Sequence, residues 1–411
     1  MSNEVSDMRE VRDYKEQSSA GRLIISSLAL SRITTRTGGI LMGLFLVDIG
    51  LTFGASVGVI GQIPTLSSVV AMVFALLMGV LSVRYSYKAL LRMGLLFYAV
   101  SSMGCVLAPN YATILLSYSL TGIGIAMVNP MSMALVGEHM PLDRRPIAIS
   151  WIFTAMALSS SFIAGPVMTY LSGFGGWRMA FLGYSLPIAL MSIVLSYIGI
   201  PTVSRSTAIV GSEKSFLEGF RELFRNRSAV ACLIGSVLSS ASFTGLVVYG
   251  ISFYREKFLV PKELTALLWA GMPLGFSIGS QFSGRFVNRY GRKPLTVLGL
   301  LLSGLFTVLY ANVPGFWLSV TLAYLTCIFA GVRSTAASSL TVEQMPEFRG
   351  TMMSSNTAGY NLGSALGSAL GGVMLVWWGW EAFGVVLGSL GIVASLVYHL
   401  LTLDPTVSSL Q

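Results

Sequence analysis

The chain has 411 residues, 54% hydrophobic and 10% charged, with a formal net charge of +9 and a mean hydropathy of +0.74. That balance excludes an ordinary soluble domain and points to a protein that crosses a membrane many times. The positive charge does not indicate a nucleic-acid partner, because the basic residues sit in short turns between apolar runs and not on one domain.

Residues 1–37 alternate Glu, Asp, Arg and Lys and read as a solvated, partly helical cytoplasmic segment without the apolar core of a cleaved signal peptide. Apolar runs long enough for a hydrocarbon core of about 30 Å follow. In a first half, 38–199, spans are expected near 38–60, 66–83, 93–108, 112–136, 147–171 and 177–199. The segment 200–228 is polar, and its Phe216, Phe220, Leu223 and Phe224 recur at helical spacing opposite Glu218, Arg221, Glu222 and Arg225. This is the pattern of an amphipathic linker helix on the membrane surface. A second half, 229–402, offers spans near 229–253, 264–283, 294–312, 315–340, 350–376 and 380–402, and 403–411 form a short tail. The expected fold is an all-α membrane protein of twelve transmembrane helices in two six-helix halves, both termini cytoplasmic.

The halves are copies. Subtracting 205 maps Gly284, Arg289, Tyr290 and Lys293 onto Gly79, Arg84, Tyr85 and Lys88, and Glu343, Met345, Pro346 and Arg349 onto Glu138, Met140, Pro141 and Arg144. A shared offset over this distance without a gap indicates an internal duplication. Orientation follows from the basic residues: the N-terminal segment, the turns 84–92, 144–145 and 285–293, the linker and Arg349 fall on one side. Only Arg178, Arg255, Lys257 and Lys262 fall on the other, which makes the richer side cytoplasmic.

Cys105, Cys232 and Cys327 each lie in an apolar run and read as packing residues, and His139 and His399 are too far apart for a metal motif. No nucleotide-binding loop of the Gly-x-x-x-x-Gly-Lys-Ser/Thr type occurs, so neither a metal, a cofactor nor an enzyme activity is expected.

The six-plus-six duplication, the long middle segment and the basic turn after spans two and eight resemble the major facilitator superfamily over nearly the whole chain. The most specific element is the family's Gly-x-Leu-x-Asp-Arg-x-Gly-Arg-Lys loop, matched by Gly284, Asn288 (in place of Asp), Arg289, Gly291, Arg292 and Lys293, and more weakly by Gly79, Arg84 and Lys88. The resemblance implies that these residues help latch the cytoplasmic side during conformational change, the glycine permitting close helix approach. Gly165-Pro166 in the fifth span resembles the centre of a motif of drug and metabolite antiporters, and Tyr118 stands where the family's fourth-span pattern carries an arginine associated with proton transfer. Gly359, Gly363, Gly367 and Gly371 recur every four residues on one face of the eleventh span, a pattern for close helix packing.

Asp48 and Arg333 are charges inside the first and tenth spans, each costing about 2.5–3.5 kcal/mol at a helix centre on insertion scales. A purely structural bridge is one account of them. The other is proton coupling: they lie in opposite halves, and they are expected to pair in one conformation and part in another, with Asp48 taking the proton. The resemblance implies that the first, fourth, seventh and tenth helices line a central cavity, which brings Asn129, Met127, Met131 and Tyr249 toward a substrate. Asn356, Tyr360 and Asn361 lie on the eleventh span away from its glycine stripe and are further candidates. The expected function is a monomeric secondary transporter of the cell membrane, in contact with the lipid bilayer, a small-molecule substrate and protons, and exporting drugs or metabolites. A sugar or organic-acid carrier, and a non-transporting sensor or scaffold, are the alternatives.

Overall fold

The computed structural model describes residues 2–140, 145–201 and 212–404. Within a bilayer every backbone N–H and C=O must be satisfied inside the protein, and the described residues accordingly form helices and no strands. The first half comprises α1 (Ser2–Phe53), α2 (Val57–Ile60), α3 (Gln62–Arg84), α4 (Tyr87–Leu107), α5 (Tyr111–His139), α6 (Arg145–Leu158), α7 (Gly165–Gly175), α8 (Trp177–Ala180) and α9 (Leu186–Gly199). A linker helix α10 (Ser212–Arg225) leads to α11 (Arg227–Lys257), α12 (Lys262–Ala270), α13 (Met272–Tyr290), α14 (Arg292–Asn312), α15 (Phe316–Glu343) and α16 (Arg349–Leu401). Among the described residues ten helical stretches are long and apolar enough to cross a membrane.

The breaks fall where the backbone demands glycine. Gly176 (φ 70°, ψ −162°) turns the chain into Trp177, and Gly379 (φ 75°, ψ −168°) interrupts α16 ahead of Trp380. The same glycine-tryptophan turn thus recurs in both halves, in a region of backbone space that only glycine enters readily. In α6–α7 the wide turn Ser159–Ala164 precedes Gly165 and Pro166. A π-type turn there accommodates a proline that has no N–H for the helical ladder.

The basic turns of both halves, Arg84–Lys88 and Arg289–Lys293, lie at one end of the bundle, hereafter the basic end; α1 terminates at Phe53 at the opposite, far end. The core divides along this axis. At the far end one continuous cluster joins the halves, combining Leu41, Phe45, Ile49 and Ile60 with Tyr249, Phe253, Tyr254 and Phe383. Toward the basic end it separates into a first-half cluster around Leu90, Met127, Met131 and Leu135 and a second-half cluster around Cys232, Leu300, Leu340 and Tyr398.

Two expectations change here. The linker helix rests part of its apolar face on the protein: Leu223 is fully buried with Met345 and Met352 of the second half, while Phe224 is exposed. The stretch of α1 long and apolar enough to cross a membrane begins well before position 38, running from Gly21 to Phe53. Ser27 bonds the Leu195 carbonyl of α9 and Thr34 bonds Ser192, so the stretch of α1 that carries Arg32 and Arg36 packs along α9 and is part of the bundle, with Arg36 itself exposed.

Candidate functional site

Asp48 pairs across the two halves, though with Arg255 and not with Arg333. Arg255 Nη1 donates to Asp48 Oδ2 at 2.5 Å and Nη2 to Oδ1 at 3.4 Å, a two-pronged grip, and Nη1 also reaches the Leu44 carbonyl at 3.3 Å. Depth explains the difference. Asp48 lies five residues from the far end of α1, about 8 Å, whereas Arg333 lies seventeen residues from the far end of α15, about 26 Å at 1.5 Å per residue. Counting Asp48 from position 38 places it too shallow with respect to the basic end. Arg255 is concealed in the sequence because the apolar run stops at Phe253 while the helix continues to Lys257, two residues beyond the arginine.

Arg333 stays within the second half. Its Nη2 donates to the Ser239 carbonyl at 3.2 Å and its guanidinium lies over the Phe243 ring at 5.6 Å. Beside it is a cavity of about 10 Å³ lined by Ser239, Ser242, Ser303, Thr307 and Thr326. That is room for about one water among several hydroxyls. A guanidinium has five N–H donors, so such a water would satisfy donors the protein leaves over.

The remaining halves' contacts also gather toward the far end. Gln62 Nε2 donates to the Ala369 carbonyl (3.4 Å), Ser68 and Ser364 hydroxyls meet at 3.1 Å, and Lys262 Nζ donates to Ser172 Oγ at 3.2 Å. Gly58 and Gly372 abut, since a methyl group on either would run into the other's backbone. Gly165 faces the Ala266 carbonyl of the other half.

The other candidates scatter. Met127 and Met131 are buried in the first-half core at 2% and 4% exposure and do not reach the space between the halves, because their face of α5 packs on α4, where Gly94 abuts Met127. Asn129, two residues from each and so on another face of α5, just before Pro130, accepts from Thr35 of α1 at 3.1 Å. Tyr249 is fully buried between the halves; its hydroxyl donates to the Ser368 carbonyl at 2.8 Å and its ring closes over Gly61 and Gly371. Asn356 accepts from Ser236 of α11 at 2.6 Å, Tyr360 is half exposed, and Asn361 is partly buried. Tyr118 is buried, and its neighbour Tyr98 accepts from the Gly38 amide at 2.5 Å.

The basic turns act within each half. Lys88 Nζ donates to the Ile200 carbonyl and Lys293 Nζ to the Thr402 carbonyl (2.8 Å), so each lysine covers the carbonyl end of the last helix of its own half. A cation there satisfies orphan carbonyls and opposes the helix dipole. Arg292 pairs with Glu343 at 3.7 Å, Arg289 lies over Tyr290 at 5.6 Å, and Gly291 (φ 86°) ends α13. A methyl group at Gly284 would meet no neighbouring element within 4 Å, so the close helix approach expected at this glycine is not made in this structure. Gly79, Arg84 and Asn288 lie within α3 and α13.

Comparisons with known proteins match this architecture. A protein of Bacillus subtilis (strain 168), the uncharacterized MFS-type transporter YceJ, is 24% identical over 339 residues, covering 82% of this chain and 83% of its own. The 3-(3-hydroxy-phenyl)propionate transporter of Escherichia coli (strain K12) is 24% identical over 370 residues, 86% of this chain and 84% of its own. In fold, the chain superposes on a bacterial homologue of the human lysosomal transporter Spinster, in an inward-facing and unoccupied conformation, with a TM-score of 0.72 at 16% identity over 94% of this chain and 99% of that one. The sequence profile of the Major Facilitator Superfamily matches residues 28–272 and 251–411, and the chain belongs to that family of transporters.

Proposed function

We propose that the chain carries a small organic solute across the cell membrane by alternating access, coupled to protons in the direction of export. The observation that supports this is the divided core: one shared cluster at the far end, two separate clusters toward the basic end. A bundle joined at one end and split at the other is one of the two states that rocking halves interconvert. Counting α16 as two spans at Gly379 and α12 with α13 as one gives twelve spans, six in each half. The basic end is then cytoplasmic with both termini.

In this reading Asp48 is the proton-coupling group and Arg255 its partner, replacing Arg333. Opening the far end draws α1 from α11 and separates Asp48 from its cation, so that proton transfer at Asp48 and the conformational change are linked. Transport by the purified monomer in liposomes under an imposed pH gradient is the test. The Asp48→Asn protein is expected to lose accumulation against a gradient while retaining solute exchange. Accumulation driven by pH alone in that variant refutes Asp48 as the coupling group, and a wild-type protein that moves no solute favours a sensor or scaffold.

The organic-acid reading gains from a separate observation, the arginines Arg32 and Arg36 on a stretch of α1 that Ser27 and Thr34 tie to α9. The Escherichia coli relative named for a phenylpropionate agrees with it.

A further inference from the structure

One face of α1 touches the other half at Gly43, which lies against the Val247 carbonyl, and at Leu44 and Asp48, which hold Arg255. Continuing along that face toward the basic end, at spacings of three and four residues, brings up Gly39, Arg36 and then Arg32. Here the other half no longer covers it. A side chain at Gly39 would meet nothing within 4 Å, and Arg36 is exposed.

The opposite side of α1 fixes the depth. Thr34 bonds Ser192 at 2.7 Å, and the Gly38 amide bonds Tyr98, a residue near the middle of α4. The two arginines therefore stand in the inner part of the bundle, on the wall of the space between the halves, and not at the membrane surface. Arg32 lies with its guanidinium 5.7 Å from the Phe153 ring, and its Nε is buried without a hydrogen-bond partner. Neither arginine belongs to the described ion pairs, Asp48–Arg255 and Arg292–Glu343. Asp48, the acid on the same face of α1, is held by Arg255.

Two cations one helical turn apart, inside the bundle and unmatched by any described carboxylate, repel one another and are relieved by an anion. We infer that Arg32 and Arg36 form the charge-recognising part of the substrate site and that the carried solute is a small organic carboxylate. The guanidinium fork suits a carboxylate, binding it through paired N–H groups, and Phe153 supplies an aromatic surface for the apolar body of such a molecule. Asn129, held by Thr35 between the two arginines in sequence, adds an amide N–H₂ donor nearby. This rests on the transport reading above and adds the class of solute.

The experiment measures the thermal midpoint of the purified full chain against concentrations of benzoate, phenyl phosphate, benzamide and benzylamine. Benzoate is expected to stabilise the protein most. Its apparent affinity is expected to fall about tenfold or more in Arg36→Gln and less in Arg36→Lys, because a charge-assisted bond contributes on the order of tenfold in affinity. Arg36 is exposed, so its replacement leaves packing intact; Arg32→Lys, which keeps the charge and loses the fork, is the second variant and is expected to weaken benzoate as well. Benzamide or benzylamine stabilising as well as benzoate overturns the inference. So do a benzoate response unchanged in both Arg36→Gln and Arg32→Lys, and the absence of any benzoate response. Phenyl phosphate outcompeting benzoate overturns the carboxylate class in favour of a phosphate ester. Failure of the two readings is separable: flux of a neutral or cationic solute untouched by Arg36→Gln sinks this site and leaves transport standing. Arg36-dependent benzoate binding by a protein that moves no solute does the reverse.

Discussion

Among single residues, the charges inside the bundle separate by what each touches. Arg255 and Asp48 retain 15% and 27% side-chain exposure, between a surface pair and a buried one, so the pair contributes about 1–2 kcal/mol to holding the far end closed. Arg255→Ala is expected to raise the reactivity of a cysteine placed at Val247 toward an impermeant thiol reagent about tenfold, since 1.4 kcal/mol corresponds to tenfold in an equilibrium. Unchanged reactivity would show that the pair does not hold that end. Arg333 differs, because its described hydrogen bond is to a backbone carbonyl of its own half and it borders a small cavity lined by hydroxyls of that half. Replacing a buried charge by an apolar group of similar volume is often neutral or stabilising. Arg333→Met is therefore expected to keep its stability within about 1 kcal/mol of wild type and to leave the pH profile of transport in place, whereas Arg333→Ala opens a hole and costs about 2–3 kcal/mol. A shifted pH profile in Arg333→Met would restore a coupling role to that arginine.

At the level of helices, glycine decides which elements can meet, because lipid tails are as apolar as leucine and association depends on close packing. The stripe Gly359, Gly363, Gly367 and Gly371 packs against α11 within the second half; a methyl group at Gly363 or Gly367 would overlap the carbonyl of Val237 or Ala241. Gly363→Leu and Gly367→Leu are expected to cost about 3 kcal/mol or more and to reduce the folded yield, the upper end of overpacking. Gly284→Ala provides the contrast. With open space around it, the change is expected to leave stability within about 1 kcal/mol of wild type or to raise it, as for glycine in a helix interior. Circular-dichroism melts of the three proteins side by side check this, and equal losses would contradict the packing difference.

For the molecule as a whole, the two halves are tied together toward the far end and hold their own turns at the basic end. Ser68 and Ser364 hydroxyls are 3.1 Å apart across the halves, close enough that cysteines at both positions fall within disulfide reach. The double variant Ser68→Cys with Ser364→Cys is expected to cross-link under oxidation and to lose more than about nine-tenths of its transport, recovering when reduced, since a closed loop removes the second of two states. Retained transport in the cross-linked protein would mean that the halves do not part here during the cycle.

The sequence by itself determined the class, the helical composition and the duplication, because hydropathy over a span and a constant offset of 205 are properties of order along the chain. It also marked the glycine stripe, whose four-residue spacing alone places all members on one helix face. Where a helix begins and ends inside the bundle was not legible in that way: the polar residues of 21–37 and the charges after Phe253 look like loop until neighbouring helices supply partners such as Ser192 and Leu195. Tertiary structure alone brought Arg255 to Asp48, enclosed Arg333 within one half, buried Met127 and Met131, and left Arg32 and Arg36 on an uncovered face. The physical reason is that the partner of a membrane-embedded charge depends on depth and facing, which are fixed by how helices stack, and residues 207 apart in the chain can sit 2.5 Å apart in space.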